Sequence, residues 1–425
     1  MTFVLFTILF ILFIFIWLFF DYRFGRKKHL RVAEKLESSL LHGGFEIFAL
    51  GKELFADYFL SLEQAEKSID IVFYIVQNDT FGREFLSLLK NKAGEGVKVR
   101  LLLDQIGSLK FSKKQITDLE AAGVAFQYSS RVKFPFPFYS SQVRNHRKIT
   151  IIDGTIGYLG GFNIGKEYIG FDPKLSPWRD YHLKITGEGV SFLQRVFLHD
   201  WQGDSPKKAC KEGDVMARQR DKDTLETARE FTFQPDPAAR FPGQANQKIA
   251  HRLLATEANL LEDTYVQQIQ SAKEWIMIGT PYFIPSKKVF AELLKSIRRG
   301  VKLTIIVPAT ADHMLVQEAS YRYFRTLLQE GATVYQFKNG FYHAKTIVID
   351  ETICEIGTAN FDRRSLALNK EINCYFYDLK FNKRVIEVIR QDIQDSQPLL
   401  LEDLNKPNLF RSVKEKIAAT ISGFL

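Results

Sequence analysis

Cysteine is scarce in this 425-residue chain: Cys210, Cys354 and Cys374 are the only three. Their odd number and wide spacing make neither a disulfide framework nor a zinc ligand set, which points to a reducing compartment. Histidine is also sparse, eight residues in all, with no His-x-x-x-His or clustered carboxylate spacing. The chemistry is therefore read as needing no metal and no cofactor. Low-complexity tracts are missing, and a composition 46% hydrophobic and 25% charged excludes a disordered or collagenous chain. Acidic residues are in deficit, 49 against 58 Lys and Arg, for a net charge of +9. That sign favours an anionic partner: nucleic acid, a phosphate ester or a lipid surface. No apolar run beyond residue 20 approaches eighteen residues, so a polytopic membrane protein is ruled out.

What the chain does have begins at its amino terminus. Thr2 to Phe20 is an uncharged apolar run, and as a helix it reaches roughly 28 Å, about one hydrocarbon core. No basic n-region precedes it and no small-x-small cleavage site follows, so it reads as a retained anchor, not a signal peptide. Arg23, Arg26, Lys27, Lys28 and Arg31 come next, which places the carboxyl side in the cytoplasm.

The rest repeats itself. AEKSIDIVFYIV (Ala65 to Val76), GVKVRLLLD (Gly96 to Asp104) and AAGVAFQY (Ala121 to Tyr128) return as AKEWIMIGTPYFI (Ala272 to Ile284), GVKLTIIVP (Gly300 to Pro308) and QEGATVYQF (Gln329 to Phe337). Each copy reads helix, apolar strand, helix, apolar strand, helix, strand. Runs apolar on both faces suit buried strands with helical crossovers. The expected fold is α/β: two similar domains, each a mixed β-sheet flanked by helices, related by a pseudo-twofold axis, plus one transmembrane helix. The boundaries expected are 1–31 for the anchor and basic segment, 32–202 for the first domain, 203–247 for a polar linker or excursion, and 248–425 for the second.

One constellation closes each copy. HRKITIIDGTIGYLGGFN supplies His146, Lys148, Asp153 and Asn163; HAKTIVIDETICEIGTAN supplies His343, Lys345, Asp350 and Asn360. In both, Lys follows His by two residues, Asp follows His by seven, and Asn follows Asp by ten. Residues two apart on a strand share a face, so each His and Lys project together. Each Asn follows a glycine-containing turn, where backbone can approach an anion closely. A lysine and an amide donor are what a phosphoryl group needs as its oxygens gain charge. Imidazole serves as nucleophile or as general acid and base near neutral pH. If the copies face each other, one histidine attacks phosphorus while the other protonates the leaving oxygen. A lone strand histidine is usually a satisfied core residue; two in matched settings argue against that.

This pattern resembles the double HKD signature of the phospholipase D superfamily, and within it the chain is similar to bacterial cardiolipin synthases. RNHRKITIIDG, GYLGGFNIG, WRDYHLKITG, GTPYFIP, HAKTIVID and GTANFDRRSLALNKEIN carry the likeness, from about Phe55 to Asn373. Most of that family has two amino-terminal membrane helices, whereas this chain shows one. The resemblance implies an acid beyond each motif that orients a histidine; Asp180 in WRDYH and Glu371 in NKEIN match those positions. Without the resemblance each is an ordinary surface charge. Asp153 and Asp350, third members of the motif, are expected to brace the lysines and strand ends rather than touch phosphorus. Thr358, at the position of Gly161 in the other copy, is a candidate donor to the phosphate.

Two further segments face the lipid in this reading. Arg131 to Asn145, RVKFPFPFYSSQVRN, reads as a loop because alternating Phe-Pro cannot be regular helix. It is either a tucked core loop or an apolar lip admitting acyl chains. In RSVKEKIAATISGFL (Arg411 to Leu425), Val413, Ile417, Ile421 and Phe424 share one helical face, for packing or for the membrane interface. The resemblance then implies a membrane phosphatidyltransferase that condenses two phosphatidylglycerols into cardiolipin and glycerol through a phosphohistidine, in contact with anionic membrane lipids. The alternative is a hydrolytic phospholipase D or another phosphodiesterase, including a nuclease. The apolar anchor and lip argue against nucleic acid as partner. A catalytically silent scaffold is disfavoured because both motifs are complete.

Overall fold

Residues 2–204 and 248–421 are described by a computed structural model of the chain. Residues 205–247 of the expected linker, Cys210 and Phe424 lie outside the described residues. The first half contributes β1 (Leu36–Glu37), β2 (Leu41–Leu50), β3 (Ser68–Phe73), β4 (Lys98–Asp104), β5 (Ala125–Ser129), β6 (Ile149–Ile152), β7 (Ile156–Gly160) and β8 (Trp178–Gly187). The second contributes β9 (Ile249–Thr256), β10 (Trp275–Gly279), β11 (Lys302–Pro308), β12 (Thr333–Phe337), β13 (Phe341–Tyr342), β14 (Thr346–Ile349), β15 (Ile353–Gly357), β16 (Glu371–Phe376) and β17 (Ser396–Pro398).

Strand order is the same in both halves. In the first, β5-β4-β3-β6-β7-β8-β2 are neighbours; in the second, β12-β11-β10-β14-β15-β16-β9. The βαβ strands pair in parallel and the motif strands antiparallel. β2 and β9, each at the end of its row, pair antiparallel through Leu41↔His251, His42↔Ala250 and Gly43↔Ile249. The strand sequence is thus mirrored about that junction, the pattern of a pseudo-twofold axis.

Helices cover these sheets where the apolar strands demand it. Gly51–Glu63, Thr80–Gly94 and Lys113–Ala121 serve the first half, and Glu262–Ser271, Lys287–Arg298 and Val316–Gln329 the second. Asp79, Ser112 and Ser286 cap three of them by accepting an amide hydrogen bond. Each half has its own core, and a third core belongs to both. Helix Glu188–Asp204 inserts Val190, Leu193 and Phe197 into it, and helix Leu379–Gln394 inserts Phe381, Val385 and Ile389. Phe45, Leu183, Ile249 and Phe376 fill the space between them. This shared core makes the halves one packed unit.

The apolar amino-terminal run continues as helix through the basic cluster, Thr2–Leu30, and none of its most apolar stretch is buried against the protein. It is long and apolar enough to cross a membrane. Its far end is docked. Gly25 packs so closely on Tyr139 that an added Cβ would fall 2.6 Å from the Tyr139 Cβ. The buried Asp21 carboxylate accepts from the N–H groups of Tyr139 (2.7 Å) and Phe138 (3.3 Å). Those amides open a short helix, Pro137–Gln142, which corrects the expectation of a pure loop. Pro137 sits at the first helical turn, where its missing N–H costs nothing. The Phe-Pro segment is neither tucked into the core nor wholly free: Tyr139 is buried while Phe134 is 90% exposed.

Helix Leu409–Ile421 packs on Val316–Gln329 through Ala418 and an Arg325–Glu415 pair of 2.7 Å. Leu409, Phe410, Val413 and Ile417 remain exposed. Val413 and Ile417, two of the four residues singled out in the sequence, therefore point outward.

Candidate functional site

Both motifs enter their strands in the same way. The residues just before β6 and β14 run beside the start of the acid-bearing strand of the other half. Asn145 bridges Lys370 in parallel, and β13 pairs in parallel with the first residues of β8. The His146 N–H donates to the Lys370 carbonyl (3.0 Å), and the His343 N–H donates to the Arg179 carbonyl (2.7 Å). This zipping delivers each imidazole to a carboxylate from the opposite half. His146 Nδ1 lies 3.0 and 3.1 Å from the two Glu371 oxygens, across 225 residues of sequence. His343 Nδ1 lies 2.6 Å from Asp180 Oδ2, across 163 residues. Asp180 and Glu371 thus meet histidines as the resemblance implied, with partners exchanged between the copies.

The ion pairs behind the acids repeat the exchange. Arg179, next to Asp180, pairs with Asp392 of the second half at 2.7 Å. Lys370, next to Glu371, pairs with Asp200 of the first half at 3.2 Å. Both aspartates are fully buried; Asp200 also holds Arg147, whereas losing Arg179 would strand the Asp392 charge in the shared core.

The lysines stand beside their histidines. Lys148 Nζ donates to the His146 carbonyl at 2.8 Å, and Lys345 Nζ to the His343 carbonyl. Lys345 also lies 2.6 Å from His343 Nδ1 and 3.4 Å from Asp180. His146, His343, Asn163 and Asn360 line one cavity of about 320 Å³, together with Tyr74, Arg144, Trp178, Tyr282, Asp312, Arg364 and Asn369. Asn163 is held by the Ile75 N–H (3.2 Å), which donates to Oδ1, and donates through Nδ2 to the Tyr168 hydroxyl (3.1 Å).

Burial sets the charges. It lowers the pKa of His146, partly opposed by Glu371; at His343, where Lys345 adds to burial, the pKa falls to about 4. Burial also pulls Lys148 down to about 7, and lowers Lys345. For Asp180 and Glu371 burial acts upward, but Lys345 and His343 on one side, and His146 and Lys148 on the other, hold both carboxylates below their usual range. The site thus presents two imidazoles biased toward the neutral form, each on an ionised acid.

Three expected positions lie elsewhere. Asp153 and Asp350 sit at the far ends of β6 and β14, away from the cavity. Asp153 accepts from the N–H groups of Glu66, Lys67 and Ser68 (2.8, 2.7 and 2.8 Å), and Asp350 from those of Lys273, Glu274 and Trp275 (2.6, 2.9 and 2.8 Å). They brace the start of β3 and β10, not the lysines. Thr358 is fully buried and spends its hydroxyl on Glu371 Oε2 (2.6 Å), so it fixes an acid instead of facing the phosphate. At the matching Gly161 an added Cβ would fall 2.1 Å from Asp180 Oδ1.

Sequence reasoning missed Arg144 and Arg147, which flank His146 and are anchored on buried Asp104 (3.0 Å) and Asp200 (2.7 Å). The signal was present: Arg147 interrupts the motif itself, and Asp104 ends the GVKVRLLLD strand. Among the described residues, His199, Asp200 and Glu257 come within metal-binding distance of one another. Their carboxylates already hold Arg147 and Lys370, so this donor set fits an ionic network rather than a metal.

The model of the family described as cardiolipin synthase, phospholipase D-like domain, matches residues 59–174 and 265–393, one stretch in each half. The minor cardiolipin synthase ClsB of Bacillus subtilis (strain 168) is 36% identical over 405 residues, 95% of either chain. The major cardiolipin synthase ClsA of the same organism is 33% identical over 385 residues, 89% of this chain and 75% of that one. Among solved structures, phosphatidylserine synthase from Haemophilus influenzae Rd KW20 superposes with a TM-score of 0.67 at 15% identity, over 90% of this chain and 94% of its own. That likeness speaks for the fold.

Proposed function

The chain belongs to the cardiolipin synthase family of phospholipase D-like proteins and is a phosphatidyltransferase; from this premise we propose that it joins two phosphatidylglycerols through a phosphohistidine on His146. The observation that carries the reading is the single cavity onto which both histidines open, each held at Nδ1 by a carboxylate of the opposite half. With Nδ1 engaged, Nε2 of each ring is the nitrogen left for chemistry.

In the first step His146 Nε2 gives its electron pair to phosphorus. The bond from phosphorus to the headgroup glycerol oxygen breaks, and that oxygen leaves with the proton of His343. In the second step a hydroxyl of the next phosphatidylglycerol returns a proton to His343 while its oxygen bonds phosphorus. The phosphorus–nitrogen bond breaks, which frees His146 and releases cardiolipin. Lys148, Lys345 and Asn163 face the charge that builds on the phosphoryl oxygens. An arriving phosphodiester anion favours the protonated forms of His343 and both lysines, so substrate loads the acid that the empty cavity keeps neutral.

The supporting assignments follow the same premise. Helix Thr2–Leu30 anchors the protein in a membrane of anionic lipids, with residues 32–202 and 248–425 as paired catalytic units on the cytoplasmic side. Protease added to intact cells then leaves the catalytic body whole; digestion from outside refutes the orientation. For the chemistry, His343→Ala removes the acid and base but keeps the nucleophile. With a donor carrying a good leaving group, mass spectrometry should find a lasting phosphatidyl adduct that maps to His146. An adduct on His343 in His146→Ala, with none on His146 in His343→Ala, reverses the assignment.

A further inference from the structure

Another lipid-sized space lies apart from the catalytic cavity. A groove of about 820 Å³ opens between the far end of helix Thr2–Leu30 and Phe138 of the docked segment, and it shares no residue with the cavity of the histidines. Its helical wall is made of two neighbouring rows on one face. Phe15, Phe19, Arg23, Lys27 and Arg31 follow one another at intervals of four, and Leu18, Tyr22 and Arg26 form the row beside them. Each row is apolar or aromatic up to residue 22 and basic after it. The uncharged run ends at Phe20, so the switch falls where hydrocarbon gives way to headgroups.

The cations of this groove are left without acids. Among the described residues, none of Arg23, Arg26, Lys27 and Arg31 is paired with a carboxylate. Asp21, the acid beside them in sequence, spends its oxygens on the N–H groups of Phe138 and Tyr139. The Arg23 guanidinium stays at the seam, 6.0 Å from the centre of the Phe19 ring. An apolar chain joined to a phosphate anion matches both ends of such a groove. We propose that it holds one anionic glycerophospholipid, with an acyl chain on Phe15, Leu18 and Phe19 against Phe138 and its phosphate among Arg23, Arg26 and Lys27. A zwitterionic lipid brings an ammonium group toward the same four cations and is disfavoured. The bound lipid is a resident, separate from the reacting pair. This rests on the anchoring of the helix in a membrane and not on the transferase chemistry.

The test counts bound lipid on the full-length protein in detergent by native mass spectrometry. The probes are phosphatidic acid, which has no headgroup alcohol to lose, phosphatidylcholine with the same chains, and glycerol 3-phosphate, which has no chains. The wild-type protein should retain phosphatidic acid in preference to phosphatidylcholine. Arg23→Gln/Arg26→Gln should retain one fewer, its affinity at the groove having fallen about tenfold or more. Lys28→Gln/Lys35→Gln removes the same charge outside the groove and should match the wild type. Both variants keep the catalytic cavity, so the lipid by which they differ belongs to the groove. Lys27→Gln/Arg31→Gln, on the same face, carries the test if the arginine variant does not fold. Equal losses in the groove and control variants, no preference over phosphatidylcholine, or displacement of the lipid by an equal concentration of glycerol 3-phosphate overturns the proposal. A wild-type protein that fails to float with vesicles of phosphatidic acid and phosphatidylcholine overturns the anchoring itself, whereas one that floats but retains no phosphatidic acid overturns the groove alone.

Discussion

Replacing Gly161 by alanine should disable a histidine that the substitution never touches. An added Cβ at Gly161 falls 2.1 and 2.2 Å from the Asp180 oxygens, whereas carbon and oxygen ordinarily stay about 3.3 Å apart. The carboxylate must retreat by about 1 Å. Its 2.6 Å bond to His343 Nδ1 would then stretch to about 3.6 Å, beyond hydrogen-bond range. Misplacement by 1 Å costs about 10²-fold in rate, and loss of an orienting carboxylate has cost about 10⁴ in other His/carboxylate pairs. The expected fall in kcat is thus about 10²- to 10³-fold, read as phosphatidylglycerol converted to cardiolipin in micelles. The other copy supplies a rescue. There Thr358 coexists with the longer Glu371, so Gly161→Thr combined with Asp180→Glu rebuilds that pairing and should recover at least about tenfold over Gly161→Thr alone. Gly161→Ala within twofold of wild type, or a double variant no better than the single one, would refute the coupling of these positions.

Asp153→Ala should act on stability alone. Three short hydrogen bonds to an ionised acceptor disappear, for a loss of about 3 kcal/mol in denaturant unfolding, while kcat of the folded protein stays within twofold; a large kcat loss at unchanged stability would return Asp153 to the chemistry. Glu355 is buried beside Tyr265, and burial raises its pKa to about 8 from 4.5. A raised acid costs stability as pH climbs from the unfolded value to the folded one, about 1.4 kcal/mol per unit. Glu355→Gln should therefore melt above wild type at pH 8 and lose that advantage near pH 5, and parallel melting curves would contradict the assignment. With the Lys148 ammonium held at about 7, kcat/KM should decline above neutral pH, and Lys148→Arg, if active, should lose that alkaline limb; a limb that persists in the arginine variant belongs to another group.

The repeat and its motifs were legible because strand periodicity, the GVK runs and the His-Lys spacing are local signals. β3, β4, β10 and β11 fall on the apolar runs that marked them. Which acid serves which histidine was not legible: each pair is built by backbone bridges between residues 163 and 225 positions apart, and no local pattern encodes a partner in the other copy. Thr358 was misread for a related reason. Its hydroxyl is taken by Glu371, and only the fold shows that acid behind it rather than open cavity. The short helix at Pro137–Gln142 escaped because its amides are capped by Asp21, more than a hundred residues earlier.

The exchanged partners bear on how such a chain can evolve. A single copy of the repeat owns an imidazole without its carboxylate and a carboxylate without its imidazole, so by itself it is chemically incomplete. Two copies complete each other, which is the arithmetic of a symmetric homodimer whose subunits have been fused. Fusion then lets the copies diverge, and they have: aspartate with glycine in one, glutamate with threonine in the other. The divergence is tethered all the same. A change in either copy is felt at the opposite histidine, so neither half can decay into a passive scaffold while the other keeps the activity.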